Sequence, residues 1–234
     1  MDAPLTPAPR TPASRTAAPS PRAAAPTGRY ADRPAEDRRA ERRRRLLAAG
    51  LEPFGGRTVH RAATIAALCA EAGLSTRRFY EEFASLEGVL TTLYRDAHAE
   101  AEQAAAEALA AVVAGPGLPP ARELAGVVLR VYVEVSARDP RIARLLYVEV
   151  VGVNPELEAE RRDRRTRWVD LLLDIADAYA DLDRPAGEHP VAVYAFVGAV
   201  NGLAHDWCLG LVEATLDDVV AEPTNLLAAA LRIP

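Results

Sequence analysis

The chain has 234 residues, of which half are hydrophobic, and it carries a formal net charge of −5 at pH 7. No apolar run approaches the roughly 18 residues that a membrane span needs, and two cysteines are too few for a disulfide framework. The N-terminus has arginines but no apolar segment of the kind found in secretory signals. These properties exclude a membrane protein and a disulfide-stapled secreted domain, so we expect a cytoplasmic globular protein.

The charge is divided unevenly along the chain. Residues 1–95 carry 16 arginines and 10 acidic residues, a net charge of +6, whereas residues 96–234 carry a net charge of −11. A basic front and an acidic rear are typical of a protein that binds nucleic acid with one end only. All 28 basic residues are arginine, and with the high alanine content this bias indicates a GC-rich bacterial genome.

Residues 1–33 consist mainly of proline, alanine, serine, threonine and spaced arginines. Such a segment has too little apolar surface to offset the entropy cost of ordering, so we expect a disordered tail. The alternative is a basic arm that adds phosphate or minor-groove contacts. The first helix is expected from about residue 34 to 50–52, and its arginine run 42–45 forms either a solvated face or phosphate contacts.

Residues 64–83 predict two short helices joined by a tight turn. Thr64 and Ser75 are suited to cap the two helices, and Gly73 supplies the left-handed residue that ends the first. Phe79 and Phe83 stand one turn apart and are expected to face inward. The side chains left to point outward are Thr76, Arg77, Arg78 and Tyr80. A short helix with arginines in its first turn, held against another helix, is typical of a helix-turn-helix that reads DNA.

The run over residues 75–90 resembles the DNA-binding domain of the TetR family of transcriptional regulators, whose pattern is roughly Ser-x-x-x-Phe/Leu-Tyr-x-x-Phe-x-Ser-Lys-Glu-x-Leu. The chain matches that pattern at Ser75, Phe79, Tyr80, Phe83, Ser85, Glu87 and Leu90. It departs at Leu86, where the family usually has a lysine thought to contact phosphate, and at Ala84, where proline is common.

Six further helices are predicted behind this segment, so the expected fold class is all-α. They cover about 85–114, 121–137, 139–152, 154–181, 190–211 and the stretch from 215 onward. The helix over 190–211 is apolar nearly all round, which requires burial on every side, and Pro223 is expected to kink or split the last helix. The predicted organisation is a tail over 1–33, a three-helix DNA-binding domain over 34–84, and a helical regulatory and dimerisation domain over 85–234.

The resemblance implies a homodimer bound to a palindromic operator in double-stranded DNA. The residues expected to contact DNA are Thr64, Ser75, Thr76, Arg77, Arg78 and Tyr80. Arginine can bond both acceptors of a guanine, so Arg77 and Arg78 are the candidates for reading bases. The candidates for the dimer interface, all on the helix over 190–211, are Gly198, Gly202, Leu203 and Trp207.

The resemblance also implies a cavity in the rear domain for a small apolar or amphipathic molecule that releases a repressor from its operator. The candidate lining residues are Tyr132, Tyr147, Trp168, Asn201 and His205, with Glu149 and Tyr179 as further polar groups among apolar neighbours. One alternative is a TetR-like DNA-binding protein without a small-molecule ligand, controlled by a protein partner or acting as an activator. Another, from a different class, is a helical enzyme or adaptor.

Catalysis has little support in the sequence. The four histidines are scattered without metal-ligand spacing, and there is no nucleophile elbow or phosphate-cradling loop. His205 and Asp206 could form a proton relay, but neighbouring helical residues diverge by about 100° and are not expected to pair. We therefore expect no enzyme activity, no cofactor and no metal site.

Overall fold

The computed structural model describes residues 34–55, 63–115, 117, 119–178 and 190–231. Within these ranges the regular structure is helical throughout, which confirms the all-α class. The predicted tail over 1–33 and Tyr179 lie outside the described residues. The packing described below lies within residues 39–234. None of the described helices is both long and apolar enough to cross a bilayer.

Nine α-helices follow one another in the described ranges. They are α1 (Ala35–Gly55), α2 (Ile65–Ala72), α3 (Thr76–Glu82), α4 (Leu86–Val113), α5 (Ala121–Ala137), α6 (Pro140–Arg144), α7 (Pro155–Ala178), α8 (Pro190–Cys208) and α9 (Leu216–Leu231). α6 continues as a π-helical segment, Leu145–Glu149, where the sequence predicts regular helix. All of its side chains except that of Val148 are buried, and π-turns of this kind are frequent at functional sites.

Two prolines lie within helices that continue past them. α1 extends beyond Pro53 to residue 55, further than expected, because Phe54 is buried and holds the last turn against the core. α9 is one helix across Pro223, which corrects the expectation that it splits. Val219 and Leu227, on either side of this proline, are buried in clusters that α9 shares with α5. Packing therefore outweighs the backbone hydrogen bond that proline removes.

One apolar core joins the front helices to the rear ones. It contains Leu46 of α1, Phe79 of α3, Leu90 of α4 and Tyr147 of the π-helical segment. Leu46 and Phe79 are fully buried, and burying a side chain of this size stabilises a fold by about 1.5–3 kcal/mol. The helix with the predicted base-reading residues and the π-helical segment therefore belong to the same packed cluster.

Two further apolar clusters hold the rear helices together. One lies between α4, α5 and α9, with Val128 and Val133 at its centre. The other lies between α5, α7, α8 and α9 and includes Val169 and Val193. These clusters leave α5 packed against α4 on one side and α9 on the other.

α8 is buried on only part of its circumference within one chain. Val193 and Val197 are buried, whereas Val191 and Tyr194 are exposed. The sequence predicts burial on every side of this helix, because apolar side chains surround it. Within the described chain the helix thus keeps an apolar face in contact with solvent.

Candidate functional site

The helix-turn-helix, α2 and α3, has the helix ends that the sequence predicts. Thr64 Oγ1 accepts a hydrogen bond from the Ala67 backbone N–H at 3.1 Å, and Ser75 Oγ accepts one from Arg78 at 3.4 Å. Gly73 adopts the left-handed conformation, with φ of 62°, which a side chain at this position would disfavour. Local capping therefore sets the turn and presents the start of α3 to solvent.

All six residues predicted to contact DNA lie at exposed positions at the start of α2 or α3 or along α3. They are Thr64, Ser75, Thr76, Arg77, Arg78 and Tyr80. The Arg77 side chain is 91% exposed and Tyr80 is 61% exposed, whereas Phe79, which lies between them in the sequence, is fully buried. Phe79 anchors α3, and the opposite face carries groups that can hydrogen bond to a duplex.

Glu81 pairs with both arginines that are candidates for reading bases. Its Oε2 lies 2.6 Å from Nη1 of Arg78, and its Oε1 lies 3.7 Å from Nε of Arg77. The hydrogen bond from Arg78 lowers the pKa of the Glu81 carboxyl. Both pairs are solvated and therefore weak, so the two guanidinium groups are free to exchange this carboxylate for a phosphate or a guanine.

Glu82 occupies the buried side of α3. Its side chain is only 1% exposed, and it accepts hydrogen bonds from Arg42 at 2.8 Å and from Arg39 at 3.0 Å. On the exposed face of α3 this carboxylate would repel phosphate. Instead it ties the end of α3 to α1.

The arginine run 42–45 makes contacts mainly inside the protein. Cζ of Arg43 lies 4.4 Å from the centroid of the Phe83 ring, a cation–π contact. Arg45 donates to the backbone carbonyl of Gly73 at 3.3 Å, in the turn between α2 and α3. With the Arg42 pair described above, three of the four arginines bind α3 or the turn before it. They position the helix-turn-helix, a role that a charge run in a sequence does not reveal.

A cavity of about 390 Å³ lies between α4, α5, α7, α8 and the π-helical segment. All five residues predicted to line a ligand site border it: Tyr132, Tyr147, Trp168, Asn201 and His205. Glu149 is not part of this lining; it is buried and pairs with Arg144 at 2.8 Å. We call this space the larger cavity. It brings together side chains from five separate elements.

A second space of about 70 Å³ shares Tyr132, Trp168, Val197 and Asn201 with the larger cavity. Its remaining walls are apolar: Ala125, Val128, Leu129, Leu171, Leu172, Ile175, Phe196, Val200 and Leu227. We call this space the apolar slot. Its only polar amide, Asn201, donates from Nδ2 to the Val197 carbonyl at 2.8 Å. The two spaces together offer a polar compartment beside an apolar one.

Buried polar groups line the inner end of the larger cavity. The hydroxyl of Tyr132 lies 3.0 Å from Nδ1 of His98. Burial, reinforced by the charge of Arg164, lowers the pKa of His98 from 6.5 to about 3, so the imidazole is neutral at pH 7. From residue spacing alone, His98 is one of four scattered histidines without metal-ligand spacing. The signal that could have found it is its position one turn after Tyr94 on the inner face of α4.

The hydroxyl of Tyr147 is buried close to Ser136 and Tyr132, but it forms no hydrogen bond of normal geometry among the described residues. Burial raises the pKa of Tyr147 to about 12, so the group keeps its proton at pH 7. An unsatisfied buried hydroxyl is uncommon because the lost hydrogen bond costs about 1–3 kcal/mol.

Arginines of α7 also border the larger cavity: Arg161, Arg162, Arg164 and Arg165. Arg164 pairs with Glu102 at 2.6 Å, and Arg161 pairs with a glutamate of its own helix at 2.9 Å. Arg162 and Arg165 are exposed and form no ion pair with an acidic residue in the described ranges. Residue type and spacing alone do not predict a role for these arginines. Their positions give the cavity a cationic wall.

The four candidates for the dimer interface separate into two pairs. Gly198 and Gly202 are exposed on α8, and a Cβ added to either would meet no atom within 4 Å. Leu203 and Trp207 pack against the cluster between α4, α5 and α9. Trp207 also donates from Nε1 to the carbonyl of Ala214 at 3.0 Å. The glycines lie on the exposed side of α8 and also border the larger cavity, whereas the two larger side chains pack inside the chain.

His205 and Asp206 form a pair, although their adjacent positions on the helix predict that they do not. Nδ1 of His205 lies 2.9 Å from Oδ1 of Asp206. The expectation was wrong because the side-chain torsions of both residues can overcome the angle between their Cα–Cβ bonds. Both side chains are more than a third exposed, so this is a solvated pair. Among the described residues, no group of three or more histidine, cysteine or acidic side chains could hold a metal ion.

No protein-family model and no curated protein matches the sequence. Solved structures do match the fold. A TetR-like transcriptional regulator from Rhodococcus sp. RHA1 aligns with a TM-score of 0.63 at 19% identity, covering 82% of this chain and 96% of that chain. The fatty acid degradation regulator FadR from Bacillus halodurans gives 0.64 at 15% identity, with 82% and 97% covered. FadR from Bacillus subtilis in complex with stearoyl-CoA gives 0.59 at 14% identity, with 80% and 97% covered.

These likenesses concern the fold, which is all-helical, with the helix-turn-helix of α2 and α3 ahead of six further α-helices in the described ranges. The particular fold is that of the TetR-type transcriptional regulators. The resemblance seen in residues 75–90 is thereby confirmed at the level of the fold.

Proposed function

We propose that the protein is a sequence-specific DNA-binding transcriptional repressor of the TetR type, which acts as a homodimer and leaves its operator when a small molecule binds in the rear domain. The observation that carries the proposal is the exposed surface of α3, with Arg77, Arg78 and Tyr80, on a helix anchored by the buried Phe79. This surface has the donors that DNA recognition needs, at the front of a fold shared with transcriptional regulators.

On DNA, α3 would lie in the major groove. Each of Arg77 and Arg78 can donate two hydrogen bonds to one guanine, which is worth about 1–3 kcal/mol of discrimination. Thr64, Ser75 and Tyr80 are suited to phosphate contacts, which position the protein without reading sequence. Two copies related by a two-fold axis would reach half-sites about 34–36 Å apart, which accounts for a palindromic operator.

The exposed apolar face of α8 supports the homodimer. Tyr194 and Val191 on α8 and Leu226 on α9 are exposed large hydrophobic residues, while Gly198 and Gly202 leave room for a partner helix to come close. A face of this kind is self-complementary in a two-fold dimer, since each copy presents the same surface to the other. Its burial would remove apolar area from water on both chains.

The π-helical segment and α6 offer a route from the cavity to the helix-turn-helix. Tyr147 borders the larger cavity, and at the other end of the same element Arg141 pairs with Glu52 of α1 at 3.2 Å. Gly55 packs so closely on the Arg141 backbone that a Cβ would clash with its carbonyl. A ligand that displaces this element would move α1 and α4 and change the distance between the two copies of α3. Coupling of this kind is typically worth 1–3 kcal/mol.

Control by a protein partner alone is the nearest rival. A tightly filled rear domain would favour that rival, because it would leave no space for an effector. The larger cavity of about 390 Å³ favours the ligand-responsive form, since cavities of this size with a few polar groups are the usual sites for small molecules.

The test is selection of bound sequences from random DNA with three proteins in parallel. They are the parent, the Arg77→Ala/Arg78→Ala double variant and an Arg138→Ala control, whose arginine is exposed on the rear domain and pairs with Glu100. We expect a palindrome from the parent and the control and none from the double variant. The proposal fails if no sequence is enriched, or if the double variant recovers the same palindrome.

A further inference from the structure

We propose that the effector is an amphipathic organic anion, whose carboxylate or phosphate head group binds Arg162 and Arg165 while its apolar tail enters the slot beside Trp168. This inference rests on the proposed function, because it names the chemical class of the molecule that the rear domain senses. It is derived from the charges, the buried hydroxyl and the shape of the two adjoining spaces.

The cationic wall has more positive charge than its carboxylates neutralise. Glu158, which borders the larger cavity, already pairs with Arg161 at 2.9 Å and accepts a hydrogen bond from the Gly152 backbone N–H at 2.7 Å. Arg162 and Arg165 have no such partner among the described acidic residues. Two guanidinium groups, three positions apart on one helix, lie on neighbouring turns and can bind one oxyanion together.

The hydroxyl of Tyr147 is a second, independent sign of a ligand. It is buried in the wall of the larger cavity, close to Ser136 and Tyr132 but without a hydrogen bond of normal geometry to any described residue. A phenol that remains protonated can donate to an oxygen atom of a bound molecule. A buried donor without a hydrogen bond costs free energy, so a ligand that carries an acceptor oxygen should bind more tightly than one that does not.

The apolar slot indicates the chemistry of the ligand's tail. Trp168 and Tyr132 stand edge to face at its entrance, with ring centroids 4.9 Å apart. Beyond them the walls are aliphatic or aromatic, and the amide of Asn201 is already used by the Val197 carbonyl. An alkyl or aryl tail can lie there without leaving a polar group unsatisfied, whereas a second charged group cannot.

The experiment is titration calorimetry on the full chain without DNA, using four probes that share one tail and differ in the head group. Decanoate and decyl phosphate are the two anions, decanol is the neutral probe, and decyltrimethylammonium is the cation. We expect an anion to bind about tenfold or more tightly than decanol, as charge-assisted hydrogen bonds predict. The decanoate and decyl phosphate arms decide which of the two anions the site prefers.

Variants test whether the proposed residues cause the preference for an anion over decanol. Arg162→Ala/Arg165→Ala should remove the advantage of the anion over decanol, and Tyr147→Phe should weaken anion binding while decanol is affected less. Arg167→Ala is the matched control, because Arg167 lies on the same helix but borders a different cavity, beside Glu102 and Leu109. The control should keep the preference of the parent. Circular dichroism of each variant establishes that α7 is intact.

The outcomes separate this inference from the proposed function. Equal binding of decanol and both anions, binding of no probe, or an anion preference that survives in the Arg162→Ala/Arg165→Ala variant would overturn the anion site. An anion that binds in the expected way but does not release operator DNA would leave the site standing and contradict the repressor mechanism. Release of operator DNA by neutral molecules alone would support the repressor mechanism and contradict the anion site.

Discussion

Arg42 of α1 and Glu82 of α3 form an ion pair, with Nη2 of Arg42 lying 2.8 Å from Oε1 of Glu82. The Glu82 side chain in this pair has almost no contact with solvent. Arg39 adds a second, more exposed hydrogen bond to the same carboxylate. The pair joins the first helix to the helix that carries the base-reading candidates. The orientation of α3 therefore depends on an electrostatic contact as well as on the burial of Phe79.

Replacing Glu82 with alanine should destabilise the protein by about 3 kcal/mol, because removal of one partner leaves Arg42 largely buried without its counter-charge. The free energy of unfolding from urea denaturation measures this loss. Glu81→Ala is the control, since Glu81 is solvated and its removal should change stability little. Equal losses in the two variants would contradict a special role for the buried carboxylate.

The buried His98 should make stability fall in acid. Its pKa is lowered to about 3 in the folded protein and is near 6.5 when the chain is unfolded. As the pH falls below about 6.5, the unfolded chain binds a proton that the folded protein does not. The folded state then loses about 1.4 kcal/mol per pH unit until the pH approaches 3, and above about pH 7 the effect is absent.

The comparison of His98→Asn with the parent isolates this contribution from the other groups that titrate in acid. Asparagine can still hydrogen bond to the Tyr132 hydroxyl but cannot be protonated in this range. Unfolding free energies measured from pH 7 to pH 4 should fall more steeply in the parent. Parallel curves would mean that His98 is protonated in the folded state as well.

Gly55→Ala should weaken the junction between α1 and α6. A Cβ at this position would overlap the backbone carbonyl of Arg141, and overpacking of this kind usually costs about 1–3 kcal/mol. Gly88→Ala is the control, because its Cβ would meet only Oγ of Ser85 at 3.9 Å. Thermal unfolding should show a lower midpoint for Gly55→Ala and an unchanged or higher one for Gly88→Ala.

Leu226→Arg and Gly202→Leu should each convert the proposed dimer into a monomer. Leu226 is an exposed apolar residue of α9. A Cβ at Gly202 would meet no atom of its own chain within 4 Å, whereas in the proposed dimer the added side chain would hold the partner helix away. Sedimentation velocity measures the mass directly. Val113→Arg, at an exposed apolar residue at the end of α4, should leave the dimer intact. A dimer that persists in both interface variants would place the contact elsewhere.

The helix-turn-helix could be predicted from the sequence because its signals are local. Thr64 and Ser75 bond to backbone groups three residues ahead, and Gly73 adopts its left-handed conformation within the turn itself. Phe79 is buried and Tyr80 is exposed because helical periodicity places them on different faces of α3, only one of which is buried. These contacts involve a few neighbouring residues, so a short stretch of sequence determines them.

Only the tertiary structure determines where the cavity lies and which charged groups border it. The sequence supplied polar and aromatic candidates on separate helices, but their meeting depends on how α5, α7 and α8 are rotated about their axes and packed together. The same dependence separates two adjacent glutamates, since Glu81 is solvated and Glu82 is buried. It also leaves Arg162 and Arg165 without an acidic partner among the described residues, while Arg164 pairs across to α4. Burial and long-range pairing arise from packing between distant segments, and neither residue type nor local spacing encodes them.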